Sequence, residues 1–294
     1  MPQPTDETPE TLVAACVQFD VHREDVTANL RQAEEGIAEA AKASARLCVL
    51  PEMWSTSFLT TYEQSLLDAA SIAETRLQEL SRQHAMVIVG SSIESRDGNL
   101  HNCARVWDSG VLAGSYRKVH LFSANAEHRH LRGGDEPLVV DTSAGRIGLL
   151  IGYDLRFPDL SRYYFHKSAE ILVVPAQWPE VRSQHWRTLL RARAIENIVF
   201  VLGCNRTGHD ASLKSDEALS FLGDGRIVDP TGEILASGSG DAGALVANLD
   251  LRTVRTMRRI LQVHRDERPS VYRRLWDETF PSMVEASRES QPKR

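Results

Sequence analysis

Three positions in this chain place chemistry at the end of an apolar run. Glu52 comes just after residues 47–50, Lys118 follows residues 111–117, and Gly152 closes the run 147–151. Ligands of open α/β sheets gather beyond the C-terminal ends of strands, so side chains at three such ends can converge on one pocket. A carboxylate there moves protons and activates water. An ammonium, helped by a backbone N–H, stabilises the oxyanion of a tetrahedral intermediate. The third position is the informative one. A buried strand that breaks into a tight turn and a helix is where α/β enzymes mount a nucleophile, and here that residue is glycine.

The elements that must carry these residues alternate along the chain. Residues 12–19 read as a first strand, and 25–43 place Val26, Leu30, Ala33, Ile37 and Ala40 at helical spacing. A short strand at 47–50 ends in Pro51-Glu52, and Ser71 with Glu74 predicts a capping box for a helix running to about His84. Strands are predicted at 87–92, 102–108 and 111–117. A polar loop with three histidines follows at 123–137, and the sheet resumes at 139–140 and 147–151. Beyond Gly152 a helix is predicted at 159–168, a strand at 171–174, a helix at 183–197 and a strand at 198–203. Residues 209–220 read as a polar excursion, 227–236 as a hairpin around Pro230-Thr231-Gly232, 244–249 as a last strand and 252–258 as a basic helix. No linker-like stretch interrupts the series. One domain over 10–280 is expected, with flexible tails at 1–9 and 285–294.

Bulk properties narrow the function classes. With 42% apolar and 25% charged residues the 294-residue chain has ample core material. Its net charge of −6, with both signs interspersed, argues against a nucleic-acid or membrane partner. The N-terminal stretch is polar and acidic, unlike a signal peptide, and no apolar run approaches the length of a membrane helix. Cys16, Cys48, Cys103 and Cys204 are widely spaced without a CxxC pair, which reads as buried reduced thiols of a cytoplasmic protein. His120, His128 and His130 lack regular ligand spacing and a nearby cysteine, so no metal site is expected.

The three strand ends stand in longer motifs: LPEMW at 50–54, RKVHLF at 117–122 and GYDLRFP at 152–158. Further blocks follow in order: PAQWP at 175–179, HWRTLLRARAIEN at 185–197, GCNRTG at 203–208 and GDGRIVDPTGEILA at 223–236. Together they resemble the nitrilase, or carbon-nitrogen hydrolase, superfamily over about residues 12–250. That resemblance implies a four-layer α-β-β-α sandwich and a Glu-Lys-Cys triad in which Gly152 stands where the cysteine would be.

What the resemblance implies extends to individual residues. Glu52 would be the general base, Lys118 the oxyanion stabiliser, and the Tyr153 N–H part of the oxyanion hole. Glu127 would buttress Lys118. The DLRF block resembles the omega-amidase branch, in which the arginine, here Arg156, holds the distal carboxylate of the substrate by bidentate pairing. Phe58, Phe157 and Trp178 would wall a short acyl pocket. The implied reaction is hydrolysis of a small carboxylate-bearing amide to acid and ammonia, with no cofactor, in a homodimer or larger homo-oligomer. Neither Cys103 nor Cys204 stands at the strand–turn position, so neither replaces the nucleophile. Without a thiolate, activity is expected to be absent or strongly impaired. Two origins fit: a variant from which the nucleophile has been removed, or a natural binding or assembly protein. Retention of Glu52, Lys118, Glu127 and Arg156 favours the first, because convergent charges cost stability when they serve no function.

Overall fold

The computed structural model describes residues 10–215 and 217–280. Among these, twelve strands form two six-stranded sheets. The first sheet is built on β1 (Thr11–Gln18), β2 (Leu47–Val49) and β3 (Val87–Arg96), joined by α1 (Val26–Lys42) and α2 (Gln64–His84). The second is built on β7 (Gly145–Leu149), β8 (Ile171–Ala176) and β9 (Phe200–Asn205), joined by α3 (Pro158–His166) and α4 (Ser183–Asn197). Each trio is parallel, as its helical crossovers require. Antiparallel strands flank both trios. β4 (Asn99–Asp108), β5 (Val111–Arg117) and β14 (Gly243–Asp250) extend the first sheet. β6 (Val139–Thr142), β12 (Arg226–Val228) and β13 (Ile234–Ser237) extend the second.

The burial pattern explains the layering. Period-two alternation sends one set of side chains between the sheets, where Cys16, Val49, Val89 and Val106 meet Ile147, Leu149, Val173 and Leu202. The alternate set faces helices. Ala15, Val17, Cys48 and Ile88 pack on Ile37, Ala40 and Leu77 of α1 and α2. Leu150, Leu172, Val174 and Val201 pack on Tyr164, Trp186 and Leu190 of α3 and α4. These clusters are the faces of a four-layer α-β-β-α sandwich, the architecture that the resemblance implies. Two apolar faces per central strand also account for the near-continuous apolar runs in the sequence.

Some elements differ from the sequence reading. α2 begins at Gln64, so Ser71 and Glu74 lie inside the helix and form no capping box. Buried Glu74 instead accepts a hydrogen bond from the Trp54 indole at 3.0 Å and pairs with Arg105. The polar excursion at 209–220 is a hairpin, β10 (Thr207–Ala211) against β11 (Ala218–Leu222). The loop at 123–137 contains two short 3-10 turns, Ser123–Asn125 and Glu127–Arg129.

The chain divides into two compact units, one to Arg255 and one from Thr256. α5 (Arg252–Leu261) runs across that division. The second unit continues with α6 (Val263–Asp266) and α7 (Pro269–Thr279), on which Tyr272, Leu275 and Trp276 are exposed. The tails expected at 1–9 and 285–294 lie outside the described residues. Among the described residues, no helix is long and apolar enough to cross a membrane.

Candidate active site

Glu52 opens a turn just past β2, and residues 52–57 are almost wholly buried. The turn is pinned to β3, where Met53 N donates to Ser91 Oγ and Trp54 N to the Ser91 carbonyl, both at 3.0 Å. β5 runs in the same direction as β2, because it is antiparallel to β4, which is antiparallel to β3. Lys118, the first residue past β5, therefore emerges on the same side as Glu52. The two 3-10 turns meet at Ala126, whose φ of +59° reverses the chain and returns Glu127 over the lysine.

The three groups form one buried ion cluster. Lys118 Nζ donates to Glu52 Oε1 at 2.8 Å and to both oxygens of Glu127 at 2.9 and 2.8 Å. All three side chains are at most 3% exposed. Asn102 Nδ2 adds a second donor to Glu52 Oε1 at 2.8 Å, while Gln177 N donates to Oε2 at 2.9 Å. Burial works against the Lys118 ammonium, but Glu127 and Glu52 outweigh it and hold its pKa above the ordinary lysine value. Two carboxylates share that one cation. Burial, reinforced by the charge of Glu127 and opposed by Lys118, pushes Glu52 above the usual carboxylate range.

Gly152 approaches from the second sheet. The strand β7 ends at Leu149, and a 3-10 turn, Gly152–Arg156, leads into α3 with Pro158 at its first position. Gly152 has φ +43°, in the left-handed region. A Cβ built on it would overlap Glu52 Oε2 and lie 3.0 Å from Cδ and 3.1 Å from Oε1. The carboxylate of Glu52 thus fills the space that any side chain at position 152 would enter. The two strand ends do converge, and more closely than a side chain between them allows.

Asp154, fully buried, braces this turn. Its Oδ2 accepts from Ile151 N at 2.9 Å and from the Tyr116 hydroxyl at 2.7 Å. Its Oδ1 accepts from His120 N at 2.9 Å and faces the His120 ring Nδ1 at 2.8 Å. One carboxylate therefore ties the turn of the second sheet to residues on either side of Lys118. Sequence reasoning assigned Asp154 no such part. A polar residue inside an apolar context (Ile151, Leu155) was the available signal.

Glu52, Lys118, Glu127 and Gly152 line a cavity of about 280 Å³. Its walls also include Phe58, Phe122, Tyr153, Trp178, Arg156 and Arg182. Phe58 lies under Lys118 Nζ, 5.5 Å from ring centroid to nitrogen. Phe157 is a correction, because it does not line the cavity. It stacks on the His120 ring at 3.6 Å and meets Tyr153 edge-on, so it supports the wall from behind. Asn102, Gln177, Phe122 and Arg182 belong to the site, and sequence reasoning did not select them. Cys103 and Cys204 are buried away from it; burial raises both thiols, Cys103 to about 12. Among the described residues, no group of three or more His, Cys, Asp or Glu side chains is placed to hold a metal ion.

Residues 13–259 match the family model described as carbon-nitrogen hydrolase. The chain belongs to the carbon-nitrogen hydrolase family. It is 34% identical to the 2-oxoglutaramate amidase of Bacillus subtilis (strain 168) over 261 residues, which is 88% of this chain and 98% of that one. It is also 34% identical to the omega-amidase YafV of Yersinia enterocolitica, covering 80% of this chain and 88% of that protein. Among solved structures, the carbon-nitrogen hydrolase from Helicobacter pylori G27 superposes with a TM-score of 0.80 at 25% identity. That match covers 90% of this chain and 98% of the other.

Proposed function

We propose that the cavity binds a small carboxylate-bearing amide, and that the chain as it stands hydrolyses it weakly or not at all. The intact Glu52–Lys118–Glu127 cluster facing a glycine carries this reading. In a cysteine-bearing relative of this geometry, Glu52 would take the thiol proton and the thiolate would attack the amide carbon. Lys118 and the Tyr153 N–H would hold the oxyanion, Glu52 would pass its proton to the amide nitrogen as ammonia leaves, and the freed Glu52 carboxylate would then activate water to cleave the thioester. Here no sulfur is present at the strand end. The first step lacks its nucleophile, while the groups that orient and polarise an amide remain. Loss of a nucleophile of this kind lowers turnover by on the order of 10³-fold or more.

Arg156 supplies the second half of the reading. It lines the cavity and rests 4.9 Å above the Trp178 ring, with its Nη2 3.1 Å from His185 Nδ1. Among the described residues it makes no ion pair with a carboxylate, so its charge is available to a ligand. The two named amidase relatives support an amide as that ligand. The retained charged residues fit removal of the nucleophile from a working amidase. The filling of the vacated space by Glu52 favours the second reading, a natural binding protein whose pocket is settled around glycine.

Ammonia release from short omega-amides by the unaltered chain and by Gly152→Cys tests the proposal. Turnover by the cysteine form alone supports an amidase lacking only its nucleophile. Substrate binding without turnover by either form supports the binding protein. Turnover by the unaltered chain refutes the assignment of position 152. A homodimer belongs to the same reading, and sedimentation of the full chain as a monomer would remove it.

A further inference from the structure

The cavity holds a second guanidinium. Arg182 lines it, half-buried, with its Cζ 5.4 Å from the Phe122 ring centroid. Its backbone is tied to Trp178, whose indole Nε1 donates to the Arg182 carbonyl at 2.8 Å. The same indole carries Arg156 on its face at 4.9 Å. One buried tryptophan therefore brackets both arginines.

Neither guanidinium is neutralised by the protein. Among the described residues, neither Arg156 nor Arg182 makes an ion pair with a carboxylate. Asp210, on the cavity wall, is already held by Arg206 at 2.9 Å and Arg23 at 2.7 Å. Several other half-buried arginines find acids: Arg117 pairs with Glu94, Arg187 and Arg226 with Asp224, and Arg255 with Glu170. The two in the cavity rest on aromatic faces instead, which leaves their N–H edges without an anion.

Charges of both signs meet on the cavity wall. Glu52, Lys118 and Glu127 bring two carboxylates and one ammonium beside Gly152, while Arg156 and Arg182 bring two guanidinium groups. A carboxylate on the ligand pairs with the arginines and not with the carboxylates of Glu52 and Glu127, which leaves its amide for Glu52 and Lys118. We propose that Arg182 is a specificity-determining residue, the second half of a two-arginine clamp with Arg156 that holds the ligand's carboxylate. This rests on the reading of the cavity as an amide site and adds a residue to it.

The test is calorimetric binding to the full chain, with two probes of equal length: the half-amide of butanedioic acid and uncharged butanamide. The variants are Arg182→Gln, Arg182→Lys and Arg156→Gln, each checked for folding by circular dichroism. Arg182→Gln is expected to bind the half-amide about tenfold to a hundredfold more weakly, as loss of a charge-assisted hydrogen bond predicts, with butanamide binding unchanged. Arg182→Lys should recover part of the affinity, because it restores charge without the planar fork. The clamp is overturned if Arg182→Gln binds the half-amide as tightly as the unaltered chain while Arg156→Gln does not. It is equally overturned if Arg182→Gln weakens both probes alike, which marks a merely structural role. If neither probe binds the unaltered, folded chain, the amide-site reading itself fails and the clamp fails with it.

Discussion

Placing a side chain at position 152 tests the geometry of the site most directly. In Gly152→Ala the new Cβ falls on Glu52 Oε2, so that oxygen must leave its place. Its hydrogen bond from Gln177 N, 2.9 Å long, is then lost or stretched, and a hydrogen bond to a charged group contributes about 1.5–3 kcal/mol. The backbone adds a second cost. At φ +43° a residue with a Cβ is disfavoured by about 1–2 kcal/mol. The two together predict a loss of about 2.5–5 kcal/mol, which urea denaturation at neutral pH measures. A double-mutant cycle separates the terms. In a Glu52→Ala background the colliding carboxylate is gone, so Gly152→Ala should cost only the backbone share, about 1–2 kcal/mol. The coupling between the two positions should then equal the remainder, about 1.5–3 kcal/mol. Additive losses, with no coupling, would refute the claim that Glu52 occupies the space at position 152. Gly152→Cys should show the same destabilisation even where it gains activity.

Lys118→Met leaves two buried carboxylates without their cation and should destabilise by about 3–5 kcal/mol. The loss should be smaller at pH 5 than at pH 8, because protonation relieves the uncompensated charges; an equal loss at both pH values would argue against a charged cluster. In the unaltered chain the lysine pKa is raised. The stability it contributes is therefore complete below the ordinary lysine pKa and is lost only as pH climbs through the elevated folded value, so denaturation midpoints should not report it between pH 6 and 9. Asp154→Asn keeps the shape of the brace but puts an amide NH2 where a carboxylate oxygen accepts. A loss of about 3 kcal/mol is expected from a buried network of this kind, and a change under 1 kcal/mol would show that the turn holds itself. All four cysteines are fully buried, so an aromatic disulfide reagent should react with none in the folded protein and with all four in urea. Rapid labelling of any one would place it at the surface.

The sequence by itself determined the strand ends that carry chemistry. Apolar runs stopping at Pro51-Glu52, at Lys118 and at Gly152 mark where a buried sheet releases the chain, and helical spacing in 25–43 and 183–197 marks what covers each sheet. Those signals are local, because burial of a strand or a helix stripe imposes its period on neighbouring residues. Tertiary structure decided what faces what. Which buried polar group meets Glu52 depends on two sheets stacking, and no spacing in the chain encodes that Asn102, Gln177 and Gly152 arrive at one carboxylate. Phe157, expected in the pocket wall, is directed by the turn onto His120. The hairpin at 207–222 is not legible because its strands, Thr207–Ala211 and Ala218–Leu222, pair without a clean buried face to impose alternation. Ser71 and Glu74 imitated a helix start, but the packing of Ala70, Ala73 and Leu77 against the first sheet carried α2 back to Gln64. Periodicity tells a residue whether it is buried. Only the stacking of one sheet on the other tells a buried charge which partner it has.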